Sequence, residues 1–388
     1  MKIKRKELFY SIVFFTFFRP FMFNYWNYLD LATNILLIVL FLFLVIKRII
    51  TINKKIDITT KLIIAMHLII LIPTIIGHGN IYRWAVTMIP PVGVALFIEL
   101  YRHDLKRIIS VWFRITVIFL IINLITILTG GIENEDWLTD YFLGSKDLFN
   151  TVFANLLTIV YLEWDFCKKK KNQIKLCLVI MFISIILTKS TTMLVELALF
   201  VVLLLFKNFR IVKKLFNSWS ALVIYAVANF LLLNATLWPY YWEFLDKYLE
   251  KGSGSMAARS RMWYAGLNIF SENQLFGIGK MTEDIWLNKV TTIGFHNQLH
   301  NQVVEYLCAG GLLLLGAYII FLIVVGQQIN KIRNTEIGFV CMIIYFVLII
   351  ASLSTGIYSA DYYFPFLLAY YLAKDREKGI KNESVICN

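Results

Sequence analysis

The stretch "FHNQLHNQVVEYLCAGGLLLLGAYIIFLIVV", residues 295–325, passes from two His-Asn pairs into an apolar run whose only charge is Glu305. A bilayer's hydrocarbon core is roughly 30 Å thick and a helix rises about 1.5 Å per residue, so the part from 301 to 325 is long enough to cross it. Similar runs recur near residues 8–23, 29–46, 62–77, 81–100, 108–128, 148–166, 176–188, 193–206, 218–235, 337–354 and 362–373. They predict an all-α polytopic membrane protein of about twelve transmembrane helices. The composition agrees: 59% of residues are hydrophobic, 16% are charged, and mean hydropathy is +0.69. Helix interruptions at Pro73 and at Pro90–Pro91 are tolerable, because neighbouring helices can satisfy the freed carbonyls.

A net charge of +13 would suit a nucleic-acid binder, but the distribution of the basic residues argues against one. Most of the 38 Lys and Arg gather at 2–6, 47–61, 102–107, 168–175, 207–214, 331–333 and 374–381, which mark every second connection between apolar runs. Positive charge is retained on the cytoplasmic side, so this alternation places both termini in the cytoplasm. The opening "MKIKRKELFYSIVFFTFF" has the basic and apolar parts of a signal peptide without a small-residue cleavage site, and reads as a retained first helix. The five cysteines, Cys167, Cys177, Cys308, Cys341 and Cys387, show neither disulfide nor metal-ligand spacing.

This reading divides the chain into helices 1 to 9 (1–235), a large extracytoplasmic loop (236–299), helices 10 to 12 (300–374) and a cytoplasmic tail (375–388). The loop is the main water-facing segment and so the natural place for chemistry outside the cell. It opens with "LWPYYWEFLDKYLE", whose Trp and Tyr favour the headgroup zone, with Pro239 starting an interfacial helix. "SMAARSRMWYAGLNIF", 255–270, then reads as a second helix, followed by a turn at "FGIGK". The shorter outer segment at 129–147 is acidic.

On the loop helix a spacing of four puts Arg259 on the face of Trp263, while Arg261 points elsewhere. Either guanidinium can hold phosphate oxygens bidentately; taken alone, the pair reads rather as attraction to anionic lipid. His296 and His300 would share a face once helical. That spacing could also bind a metal, but the lack of a nearby Cys and of a Glu in a metalloprotease pattern weighs against it. A histidine at the mouth of a span suits proton transfer near neutral pH, the other reading being an interfacial side chain with its tip in water. Asn301 is a candidate orienting partner, and Glu305 would be costly within a span unless it faced a polar cavity. Arg19, Arg83 and Lys189 sit at the outer ends of predicted helices, against the positive-inside trend, and as a set suggest an anionic visitor. Deeper in the spans, Arg114 and Glu196 read as a structural pair.

These features resemble the O-antigen ligase and O-antigen or capsular polysaccharide polymerase (Wzy) superfamily. "HNQVVEYLCAGG", with His300 ten residues ahead of Gly310, is similar to the family's His-Asn entry into the helix after its large loop. "RSRMWYAGLNIFSENQLFGIG" is similar to a loop segment in which an Arg precedes Trp and a Gly follows, here Arg261, Trp263 and Gly277. The layout agrees over the whole chain. One departure is "TKSTTML", where relatives often open the eighth span with Ser-Arg and this chain has Ser190 and Thr191, leaving Lys189 to supply the charge.

The resemblance implies metal-independent glycosyl transfer without a cofactor at the outer face of the bacterial plasma (inner) membrane. An undecaprenyl-pyrophosphate-linked oligosaccharide would be joined to another lipid-linked unit, with a chain-length regulator and a flippase as further partners and no nucleic acid. His300 and Arg261 would be catalytic. Arg259, Arg83, Lys189 and Arg19 would bind the pyrophosphate, supported by Asn301, His296, Glu305 and Trp263. The alternatives are an O-antigen ligase passing the glycan to another acceptor, and a transporter of lipid-linked oligosaccharide. A transporter would place its binding groups near the midplane and often show repeats, and neither is visible here. A peptidoglycan glycosyltransferase lacks its acidic pattern here, and a membrane scaffold would not need the His-Asn entry.

Overall fold

The apolar runs fold as helices, because only internally paired backbone is tolerated in hydrocarbon. The computed structural model describes residues 5–51, 55–133, 139–164, 171–209, 215–235, 255–280, 299–354 and 359–386. Its helices are α1 (Arg5–Phe17), α2 (Asn27–Ile50), α3 (Ile58–Ile76), α4 (Ile81–Tyr101), α5 (Leu105–Leu128), α6 (Lys146–Leu162) and α7 (Lys171–Thr188). They continue with α8 (Thr191–Leu205), α9 (Ser218–Ala235), α10 (Ser255–Glu272), α11 (Gln302–Asn330), α12 (Glu336–Ala351) and α13 (Ala360–Ile386). Among the described residues four helical runs are long and apolar enough to cross a membrane: Asn27–Ile50, Ile58–Ile76, Ile81–Leu128 and Gln302–Asn330. The third is interrupted by a 3-10 turn at Arg102–Asp104. Shorter apolar helices accompany them.

The surface is itself apolar. Leu31, Ile35, Ile38, Leu42, Ile46 and Ile49 are exposed along α2 at helical spacing, a stripe that only a hydrocarbon solvent favours. Inside, Phe14 stacks on Trp112 at 4.7 Å, and Phe18 and Phe364 complete an aromatic core joining α1, α5 and α13. Arg114 pairs with Glu7 at 3.2 Å, because its side of α5 packs on α1. This corrects the expected Arg114–Glu196 pair.

Helix ends meet in two groups. One gathers ion pairs: Arg48 with Glu99 at 3.3 Å, Lys331 with Glu377 at 3.3 Å, Arg107 with Asp104 at 2.8 Å, and Lys374 with Asp57. Asp57 caps α3; burial would raise its carboxyl, but the Lys374 ammonium outweighs that and holds it below the usual range. At the other end three short antiparallel strands, β1 (Ile132–Glu133), β2 (Thr139–Tyr141) and β3 (Gly144–Ser145), depart from the all-α expectation. Asn123 and Thr126 of α5 hold this hairpin by accepting the N–H groups of Leu143 and Phe142.

The decisive feature at that end is a break in α11. Gly311 adopts φ 62°, ψ −156°, which frees backbone groups on both sides. The segment after α10 takes them up. Leu312 N–H donates to Gln274 O at 2.8 Å and Leu313 N–H to Leu275 O at 3.3 Å, while Cys308 O accepts from Ile278 N–H at 2.7 Å and Ala309 O from Gly279 N–H at 3.0 Å. The fit leaves no space for side chains. A Cβ on Gly311 would stand 2.4 Å from the Leu275 carbonyl, and one on Gly277 (φ 64°) 2.4 Å from Cys308 O.

Gly311→Ala is expected to destabilise the protein by more than the roughly 1–2 kcal/mol that left-handed backbone costs an L-residue, since the inserted segment must also move. Gly316, on the same helix with open space around it, serves as control: Gly316→Ala should stabilise slightly. Thermal unfolding of the two purified variants in detergent checks both.

Candidate functional site

The site is built where α10, the inserted segment and the entrance of α11 meet. Asn301 is the N-cap of α11: its Oδ1 accepts the N–H groups of Val303 and Val304, and its Nδ2 donates to Asn229 Oδ1 at 3.1 Å and Leu353 O at 3.3 Å. Four bonds use the whole capacity of the amide. It therefore anchors the entrance to α9 and α12, a different task from the expected orientation of His300. Because the cap lies at 301, His300 precedes the helix. It is nearly buried and sits at φ 50°, a conformation rare for a non-glycine residue and a mark of local strain. The expectation that His296 and His300 share a helical face is corrected accordingly for His300; His296 lies outside the described residues.

Above this corner runs α10, as expected for 255–270. Trp263 is buried on α11 and donates its indole N–H to Leu299 O at 2.7 Å, one residue before His300. Gly266 lets the helices approach, and Cys308 Sγ donates to its carbonyl at 3.0 Å. Arg259, one turn before Trp263, is half-buried at the edge of the contact. Arg261 lies on α10, but its side chain is outside what the structure describes. The expected interfacial helix after Pro239 is also outside the described residues.

Glu305 turns back from the first turn of α11 and accepts Leu299 N–H at 3.0 Å. It lies within electrostatic reach of Lys280 and Arg83. Lys280 ends the inserted segment: its N–H donates to Thr74 Oγ1 at 2.8 Å and its carbonyl accepts Asn80 N–H at 2.8 Å, locking it to the α3–α4 turn. Arg83 lies on the first turn of α4, which Asn80 caps. Burial pushes the Lys280 ammonium down to about 8; the Glu305 carboxylate opposes that shift and the Arg83 guanidinium adds to it. Lys280 was passed over in the sequence, although "FGIGK" carries the signal: two glycines at positive φ that deliver a lysine to a fixed place.

The remaining candidates are carried by other elements. Lys189 is exposed in the α7–α8 turn at φ 50°. Ser190 beside it caps α8 and donates to Asn150 Oδ1 at 2.6 Å, so the serine of the altered motif serves the helix. Arg19 is bound through Nη1 to Asp30 at 2.8 Å, Asn34 at 2.9 Å and Thr33 at 3.1 Å, all at the start of α2.

Residues 176–319 match the family model Wzy_C, O-Antigen ligase. The resemblance to the O-antigen ligase and polymerase superfamily is thereby supported. The Wzy_C match begins in α7 and ends within α11, so it contains α10, the inserted segment, Lys280, His300 and the Gly311 break. Arg19 and Arg83 lie outside it. No curated protein matches the chain. The family covers O-antigen ligases and related polymerases, and with the apolar helices it points to a multi-pass membrane protein.

Replacing Asn301 with Ala removes a helix cap worth about 1 kcal/mol and two further bonds of about 1 kcal/mol each, so a loss of about 2–4 kcal/mol is expected. Trp263→Phe, which loses one buried bond, should cost about 1–2 kcal/mol. Both are read as shifts in denaturation midpoint of the solubilised protein.

Proposed function

We propose that the protein is a membrane glycosyltransferase that joins undecaprenyl-pyrophosphate-linked oligosaccharide units into O-antigen or capsular polysaccharide. The carrying observation is the corner where a strained His300, held by the Leu299 contacts to Trp263 and Glu305, lies at the same helix entrance as the cations Lys280 and Arg83. With twelve crossings, both termini cytoplasmic and 236–299 extracytoplasmic, that corner would lie at the outer face of the plasma membrane.

His300 takes the proton of the acceptor hydroxyl as its oxygen bonds to the donor's anomeric carbon. The bond from that carbon to the pyrophosphate oxygen breaks, and the lipid pyrophosphate leaves with the electron pair. Arg261, Arg259, Arg83 and Lys280 neutralise the leaving group, which is where charge develops. Lys189 serves the same face from the α7–α8 turn. Arg19 we assign to holding α1 against α2, given its three partners there. Such neutralisation by cations and alignment of two substrates asks for no cofactor. A chain-length regulator and a flippase would act beside it.

The second reading is an O-antigen ligase that passes the glycan to another acceptor, favoured by the description of the matching family. Transport is less well supported, because the paired cations stand at one end of the helices rather than near their middle.

In cells lacking the native gene, His300→Ala and Arg261→Ala are each expected to leave single repeat units in place of long polymer while the protein inserts at normal levels. Long polymer from both variants would overturn the assignment, and transfer of intact glycan to an acceptor without any polymer defect would favour the ligase. Lys280 adds a pH signature. Its charged form prevails below about 8, so turnover should fall as pH rises through that value, and Lys280→Arg should remove the fall. Unfolding would not mimic this: a free lysine keeps its proton to about 10.5, so between the two values the unfolded state binds more protons and this group adds folded-state stability as pH rises.

A further inference from the structure

Between α2, α3 and α4 lies a cavity of about 290 Å³ whose accessible lining is apolar throughout. Phe41, Val45 and Ile49 wall it from α2, Leu68 from α3, and Trp84, Met88, Val92 and Leu96 from α4. It is open on the lipid side, where Ile49 and Leu68 are exposed. Its lower end reaches Arg48, which pairs with Glu99 at the ion-pair end of the helices. At its upper end Trp84 donates its indole N–H to His67 O at 2.8 Å, and Trp84 directly follows Arg83. His67 is in turn within electrostatic reach of Lys280. The cavity therefore begins directly below the cationic corner.

We propose that this groove holds the polyprenyl tail of the lipid pyrophosphate whose headgroup is bound by Arg83 and Lys280, an inference that rests on the function proposed above. Three observations select this occupant. The cations at the upper end complement a pyrophosphate. Apart from Arg48 and His67, whose polar atoms do not reach its accessible surface, the lining is apolar. Length decides between hydrocarbons: from Trp84 to Leu96 the groove follows α4 for about 18 Å at 1.5 Å per residue, starting from the outermost turn. One leaflet offers only about 15 Å, half of the roughly 30 Å core. A phospholipid acyl chain stays within its leaflet, whereas a long polyprenyl chain continues past the midplane.

A second apolar groove, of about 360 Å³ between α6, α7 and α8, is lined by Trp164 and Lys207 near the inner helix ends. It lacks a link to the cationic corner and so provides an internal control.

The test measures binding of undecaprenyl pyrophosphate, farnesyl pyrophosphate and phosphatidylglycerol to the purified full chain, by native mass spectrometry with competition. Wild type should favour the long over the short pyrophosphate by about tenfold, as expected from extra buried hydrocarbon. Leu68→Trp, on the lipid-facing rim where folding is little affected, and Met88→Trp should each erase most of that preference by filling the groove; Val201→Trp in the second groove should leave it intact. The proposal is overturned if wild type ignores chain length, if both groove variants keep the full preference, or if phosphatidylglycerol competes as well as undecaprenyl pyrophosphate. Glycosyl transfer by the same preparations separates the two readings. Chain-length-dependent binding without transfer removes the enzyme and keeps the groove, whereas transfer with unaltered binding in the groove variants removes the groove and keeps the enzyme.

Discussion

Four hydrogen bonds between the segment 274–279 and the opened backbone around Gly311 join the loop to the helices, and the geometry of the site depends on them. In an intact helix Cys308 O and Ala309 O would accept from Leu312 and Leu313. The break exchanges those two bonds for four to another segment, leaving these groups paired where water is scarce. The exchange has a geometric consequence: a loop that would otherwise lie on the surface is fixed to the same helix whose entrance carries His300. Lys280 inherits its position from this insertion, since Thr74 and Asn80 grip its backbone from one side and Gly279 is bonded to Ala309 from the other.

The entrance to α11 is equally over-determined. Asn301 commits all four of its side-chain bonds, Gln302 N–H donates to Ser352 O at 3.0 Å, and Trp263 and Glu305 bond the two sides of Leu299. A histidine at φ 50° persists only when its surroundings force it, and these neighbours do so. These contacts fix the backbone that carries the imidazole, the kind of preorganisation that the proposed proton transfer would use.

Much of this was legible because hydrophobicity and helical period are local signals. The apolar runs mark their helices to within a few residues in most cases; 218–235 agrees to the residue, while the last helix extends beyond its apolar run, to Ile386. Arg261, Trp263, Gly277 and His300 could be singled out by resemblance, but their physical tasks could not. Trp263 reads as a motif residue on the face of Arg259, yet it is buried and bonds Leu299, which lies 36 residues away in sequence. Asn301 reads as the partner of its neighbour, yet a helix cap and a residue on α9 claim it. The Arg114–Glu196 pairing failed for a related reason: charge complementarity along a sequence does not reveal which helices touch, and α5 packs on α1 on that side. The small sheet at 132–145 escaped notice because its strands are too short for a period to show.

The charges of the corner explain why it is suited to an anion. Lys280 and Arg83 bring two positive charges and Glu305 one negative, so the three groups together carry one excess positive charge. That excess is held where burial already opposes the Lys280 proton, which raises the value of any anion that enters. Glu305 accepts Leu299 N–H at its Oε2, holding the histidine segment in place, and lies within electrostatic reach of both cations. One acidic residue in an otherwise apolar run thus connects the segment before His300 to Lys280 and Arg83, and the charge that looked expensive in the sequence is retained because it faces both.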